Sequence, residues 1–172
     1  VCGICQKEIK RNTPPFCASC GRHLEKNTLY KNICPACVRK KTSFDRAFSP
    51  CVYEGVIKKL IHEFKYNQAD TLAKPLSKIM IDFIREYRLP LSDLDCIIPV
   101  PLHAVRLRER EFNQAEELSR PISREFKKEL LNDALLRRIN TKPQAGLKGR
   151  QRETNVKMGF KTKEGVRLGG KN

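Results

Sequence analysis

Six of the eight cysteines fall in three Cys-x-x-Cys pairs, Cys2/Cys5, Cys17/Cys20 and Cys34/Cys37, while Cys51 and Cys96 stand alone. Thiolates at this spacing point to metal binding. Two such pairs present four sulfurs to a tetrahedral Zn2+ at about 2.3 Å, and the ion in turn lowers the thiol pKa values. Other uses of the motif fit less well. A thioredoxin-like redox centre is one pair opening a helix after a strand, and a secreted disulfide framework has no need of a repeated two-residue gap. Cys17-Ala18-Ser19-Cys20 is followed by Gly21, which suits a zinc knuckle because the backbone after the second ligand often needs a positive φ. Cys34-Pro35-Ala36-Cys37 leads into Val38-Arg39-Lys40-Lys41, read as a short helix, and the thirteen residues between the two pairs suit a ribbon or treble-clef loop. Cys17, Cys20, Cys34 and Cys37 are therefore the expected complete site for structural zinc. Cys2 and Cys5 are the weaker choice, half of another site. Four thiolates around Zn2+ carry a net charge of −2, and Arg22, Lys26, Lys31 and Arg39 are read either as balancing that charge or as contacts to nucleic acid.

The remaining cations are unevenly spread. The 172 residues carry a net charge of +16, with +7 in residues 1–50, zero in 51–133 and +9 in 134–172. Basic excess of this kind attracts polyanions: nucleic acid, phosphorylated substrates or acidic membrane surfaces. Tyr53 and Tyr66 are candidates for stacking on single-stranded bases. With aromatics at 7% and no Trp, that signal is weak. Hydrophobic residues at 40% and charged residues at 31% exclude wholesale disorder. No apolar run approaches the roughly 20 residues of a membrane span, and the first residues lack a signal-peptide layout, so a cytoplasmic setting is expected.

The elements that position these groups read as mixed α/β. A strand leaving the cysteine module is expected over 46–54, with Pro50 marking an edge or a break. Val56, Ile57, Leu60, Ile61 and Phe64 recur at helical spacing, as do Leu72, Leu76, Ile79, Met80, Phe83, Ile84 and Tyr87. Ile97-Ile98-Pro99-Val100 reads as a buried strand entering a loop. Phe112, Ala115, Leu118, Ile122 and Phe126 return to helical period, and Pro121 predicts two helices or a kink there. Ala134 to Ile139 is the next expected strand, followed by a mobile basic loop over 140–152. Strands alternating with helices favour a parallel sheet. Cys96 reads as plain core and not as a nucleophile paired with His103, and Gly169-Gly170-Lys171 lacks the spacing and final hydroxyl of a P-loop.

Several ordered motifs together carry a resemblance. They are Phe64-Lys65-Tyr66, Pro99-Val100-Pro101-Leu102, Arg110-Glu111-Phe112-Asn113-Gln114, and Thr141-Lys142-Pro143-Gln144 with Leu147, Arg150, Asn155 and Phe160 after it. Joined to the cysteine pairs, this order resembles the ComF family, competence-associated phosphoribosyltransferase-like proteins that include the GntX-type homologues. Nearly all of 1–168 is covered. Glu111 departs from the pattern, standing where the family usually has Gly.

The resemblance implies a partial type I phosphoribosyltransferase-like parallel sheet over 46–172 behind a zinc-binding module over 1–45. It also implies pentosyl transfer from phosphoribosyl pyrophosphate with Mg2+, in a protein linked to DNA uptake, single-stranded DNA and the competence machinery. Pro101, Leu102 and His103 fall at the pyrophosphate-loop position, with Arg106, Arg110, Asn113 and Gln114 after them. Arg137, Arg138, Gln144, Arg150 and Arg152 fall in the flexible hood, where they would meet substrate or another polyanion. In the family an upstream Cys-x-x-Cys pair precedes Cys2, and the strand bearing an Asp-Asp pair and a Thr-Thr-Gly-x-Thr loop follows beyond Asn172. The chain as given is accordingly expected to lack the ribose and 5′-phosphate grip and to be unable to catalyse. The second reading is a basic zinc protein that binds single-stranded DNA without catalysis.

Overall fold

The structure, a computed structural model, describes residues 1–25, 32–40, 42–166 and 168–170, without the side chains of Ala145 and Arg150. The chain divides into two compact units, Val1–Ile61 and His62–Asn172.

In the first unit, α1 (Gly3–Lys7) opens at Cys2 and α2 (Pro35–Arg39) opens at Cys34. Pro35 sits in the first turn of α2, where a missing N–H leaves no helical bond unmade. Cys17, Leu24 and Cys34 form a buried cluster with Cys20 and Cys37 packed against it, so thiols make up most of this core. The segment expected as a strand over 46–54 is drawn across the first Cys-x-x-Cys turn of that cluster but makes a single antiparallel bridge, Arg11 with Cys51. Flanking bonds hold it: Ala47 N–H to the Ser19 carbonyl at 2.7 Å, Asn12 N–H to Pro50 at 3.0 Å and Val52 N–H to Lys10 at 3.0 Å. Pro50 offers no donor, which limits the ladder to this patch. The buried Asn12 amide donates to the carbonyls of Gly21 and Ser49 at 2.9 and 3.0 Å. Gly21 has φ +67°, as its place after Cys20 predicts, and a Cβ there would lie 2.2 Å from the Ala47 oxygen.

α3 (Gly55–Tyr66) carries the predicted apolar stripe, with Ile57 and Phe64 buried. In the second unit, α4 (Ala73–Glu86) buries Leu76, Ile79 and Phe83 and lies along α6 (Gln114–Phe126), to which Arg85 pairs through Glu125. α6 runs unbroken through Pro121, so the two-helix alternative does not occur. Asn113 caps it and Glu116 and Glu117 occupy its first turn, where carboxylates favour the positive end of the helix dipole.

The sheet is smaller and more mixed than the alternating pattern predicts. β1 (Cys96–Ile97) and β2 (Glu129–Leu130) are parallel, with α5 (Ala104–Arg110) and α6 in the connection between them. β3 (Leu135–Arg137) and β4 (Phe160–Thr162) form a separate antiparallel pair, Leu136 opposite Lys161. The chain returns to β4 through a tight turn at Met158, φ +61°, closed by Gly159 N–H on the Val156 carbonyl. The segment expected as a loop over 140–152 instead holds a 3-10 turn, Gln144–Gly146, and the start of α7 (Gly149–Val156).

Candidate functional site

The sulfurs of Cys17, Cys20, Cys34 and Cys37 all lie within 4.8 Å of one another, the arrangement the sequence predicts. Local backbone prepares them for negative charge. Burial opposes ionisation of Cys17, but the backbone N–H groups of Cys20, Cys34 and Ser19 outweigh it and bring its pKa down to about 6. The Cys34 N–H reaches the Cys17 sulfur at 3.3 Å. Cys34 is lowered chiefly by the backbone N–H of Cys37. Cys37 moves the other way, pushed up to about 12 by burial and by the neighbouring thiols of Cys20 and Cys34. Four sulfurs at this separation cannot all ionise without a cation between them. The donor set is therefore suited to a thiophilic metal ion such as Zn2+. Cys2 and Cys5 lie together at the start of α1, where the Cys5 N–H lowers Cys2 and the Cys2 thiol raises Cys5. Among the described residues they do not join the four-sulfur cluster. Lys26 and Lys31, expected as balancing charges, lie outside the described residues.

In the second unit, the loop Pro101–His103 follows β1 and leads into α5. His103 caps that helix: its Nδ1 accepts from Val105 N–H at 3.3 Å, which leaves Nε2 as the protonated nitrogen of the neutral ring. Arg106 and Arg110 stand one turn apart on α5. Arg106 pairs with Glu109 at 2.8 Å. Arg110 donates from Nη1 to Gln114 Oε1 at 3.1 Å, and its Cζ lies 5.0 Å from the centre of the Tyr66 ring. Asn113 and Gln114 form internal bonds. Asn113 accepts from Ala115 N–H and donates to the Val100 carbonyl, and the buried Gln114 donates to the Phe64 carbonyl at 3.4 Å. Glu111 ends α5 with φ +67°, the left-handed conformation that glycine adopts most easily.

Lys65 is the residue that sequence reasoning left out of this constellation. It is half-buried at the end of α3, and burial, then the Arg110 guanidinium, lowers its ammonium below the usual lysine range. Its place in the Phe64-Lys65-Tyr66 motif was the available signal, but no spacing rule connects residue 65 with residue 110.

The hood candidates lie elsewhere in this unit. Arg137, on β3, donates to the Thr141 hydroxyl and stacks 5.4 Å from the Phe160 ring centre, while Arg138 is exposed. Gln144 lies in the 3-10 turn, and Arg152 on α7 donates from Nε to the Leu147 carbonyl at 2.6 Å. The Arg150 side chain lies outside the described residues. Leu147, Gln151, Thr154 and Asn155 line an open hollow of about 390 Å3 beside this segment. No helix among the described residues is long and apolar enough to cross a membrane.

No protein-family model matches the chain, and no solved structure matches it. Curated relatives do. The chain is 28% identical to DNA utilization protein YhgH of Shigella flexneri and to that of Escherichia coli K12, in each case over 94% of its length and 70% of theirs. It is 34% identical to competence protein F of Haemophilus influenzae over 164 residues, 93% of this chain and 69% of that protein. An identity of this size over most of both sequences establishes that the chain belongs to the competence protein F (ComF) family.

Proposed function

We propose that this chain acts in the handling of DNA taken up by the cell, through a zinc-held first unit and a phosphoribosyltransferase-like second unit. The observation that carries this reading is the match to competence protein F over 93% of the chain, reinforced by relatives named for DNA utilization. In this reading Cys17, Cys20, Cys34 and Cys37 hold Zn2+, which when bound supplies the positive charge and cross-links that keep the first unit folded. The loop Pro101–His103 lies at the carboxyl end of β1, the side on which parallel α/β sheets bind their ligands. Arg106 and Arg110 then offer positive charge to phosphoryl oxygens, and Arg138, Arg150 and Arg152 meet the outer part of a polyanion. Whether the bound phosphoryl group belongs to phosphoribosyl pyrophosphate or to a DNA strand divides the enzymatic reading from the binding one. The net charge of +16 favours retaining the second.

Two titrations separate them. Anisotropy of a labelled oligothymidylate is followed across a salt series, where contacts to single-stranded phosphates give a log–log slope of about −0.7 each. Calorimetry with phosphoribosyl pyrophosphate and Mg2+ reports the sugar-phosphate arm. Steep salt dependence is the expected result for DNA. A salt-independent oligonucleotide affinity would remove the electrostatic DNA reading, and absence of binding in both titrations would remove the proposal.

A further inference from the structure

We propose that Lys65 and Arg110 form a phosphoryl-binding clamp between the end of α3 and the end of α5, with Tyr66 and Gln114 setting the position of the guanidinium. The proposal rests on the DNA-handling reading above and names where a phosphate would be held.

The geometry starts from Arg110. One of its edges donates to Gln114 Oε1 at 3.1 Å and its plane lies over Tyr66 at 5.0 Å. Gln114 is itself buried and bonded to the Phe64 carbonyl, which connects the guanidinium to the α3 backbone one residue before Lys65. The His62 ring lies one turn earlier on α3, tilted against Tyr66 at 4.8 Å, and supports that ring from the side. Phe64 on α3 and Phe112, two residues after α5, meet with ring centres 5.4 Å apart. Neither Lys65 nor Arg110 makes an ion pair with a carboxylate among the described residues, although Arg106, one turn before Arg110 on α5, pairs with Glu109. Lys65 stands between Phe64, whose carbonyl Gln114 bonds, and Tyr66, over which Arg110 lies, so the end of α3 that carries Lys65 is the one Arg110 packs on. Two half-buried like charges there, with no carboxylate paired to either, are unfavourable by themselves. A phosphoryl group reverses the sign of that interaction, because its oxygens accept from both cations at once. A guanidinium stacked on an aromatic ring keeps its free edge presented, and a planar fork suits phosphate oxygens better than a mobile ammonium does.

The test uses the purified chain, a labelled oligothymidylate and inorganic pyrophosphate. Lys65→Gln and Arg110→Gln are each expected to weaken oligothymidylate binding about tenfold, as loss of one charge-assisted contact does. Lys59→Gln makes the same charge change at an exposed site on α3 and should change affinity less than threefold. Because both cations meet one phosphoryl group, the double variant should lose clearly less than the product of the two single losses. Thermal melts accompany each variant, and if Arg110→Gln disturbs the fold, Lys65→Gln alone carries the comparison. Displacement of the oligonucleotide by pyrophosphate assigns the clamp to free phosphoanions, and persistence of the complex assigns it to the phosphodiester. Oligonucleotide affinity equal in Lys65→Gln, Lys59→Gln and the unaltered chain overturns the clamp while leaving the DNA reading standing. Failure of the unaltered chain to bind either probe overturns both.

Discussion

Two residues in the second unit hold conformations or charges that their side chains disfavour, and each gives a measurable outcome. Glu111 sits at φ +67° where α5 ends. A non-glycine residue there carries strain that glycine relieves, about 1 kcal/mol, so Glu111→Gly should raise the melting temperature by about 2–4 °C. A lower melting temperature would show that the Glu111 side chain has a compensating contact. Lys65 is held below its ordinary pKa of 10.5 by burial and by Arg110. A lysine whose folded pKa is depressed weakens the fold while it is charged, and the penalty fades as pH rises through the lowered folded pKa towards 10.5. Lys65→Gln should therefore stabilise the chain near neutral pH, by no more than about 0.5 kcal/mol after screening, and the gain should disappear in alkaline solution. Stability rising as polyanion affinity falls is the pattern of a binding residue, since a purely structural lysine would lose both together.

At the scale of elements, the periodic helices were legible and the weakly patterned segments were not. Leu76, Ile79 and Phe83 mark the buried face of α4 by spacing alone. The strand expected over 46–54 shrank to one bridge because its partner is a short stretch around Arg11 and because Pro50 lacks a donor. α7 escaped notice because Gly149 to Val156 is polar almost throughout, with no apolar stripe to announce it. It is held instead by polar bonds that composition does not reveal, Arg152 to the Leu147 carbonyl and Asn155 to the Lys142 carbonyl at 2.8 Å. The interior proline of α6 was expected to split the segment into two helices or to kink it, and the helix is continuous through it. α6 packs along α4 on either side of the proline, and this burial offsets its cost. Pro121→Ala restores an N–H able to bond the Glu117 carbonyl and should stabilise the protein by about 1–2 kcal/mol, the helix gain exceeding the lost stiffening of the unfolded chain. Chemical denaturation checks this, and destabilisation would mean that the proline ring fills a needed packing position.

Over the whole molecule, chemistry concentrated in a few residue types could be read from the sequence, and chemistry assembled across long separations could not. The four-cysteine centre was visible because spacing alone brings its ligands together, whereas the Lys65–Arg110 pair depends on how α3 and α5 end. The same concentration makes the first unit dependent on its ligands, since Cys17, Cys34 and Leu24 form its buried cluster. Metal analysis should give about one tightly held zinc per chain. Cys17→Ser should release it and unfold the surrounding residues, and Cys2→Ser should retain it; the reverse result would identify the wrong pairs.

The strap formed by residues 47–52 adds a time dimension to that dependence. The Ala47 amide bonds to the Ser19 carbonyl inside the first cysteine turn of the cluster, while the Val52 amide bonds to Lys10 outside both turns, and neither residue supplies a ligand. Gly21 allows the strap to lie so close that any opening of the turn must also release it. The amide proton of Ala47 thus becomes a clock for the cluster. Its exchange with deuterated water is expected to be slow while the sulfurs stay gathered, and the rate at which it is lost counts how often the turn comes apart.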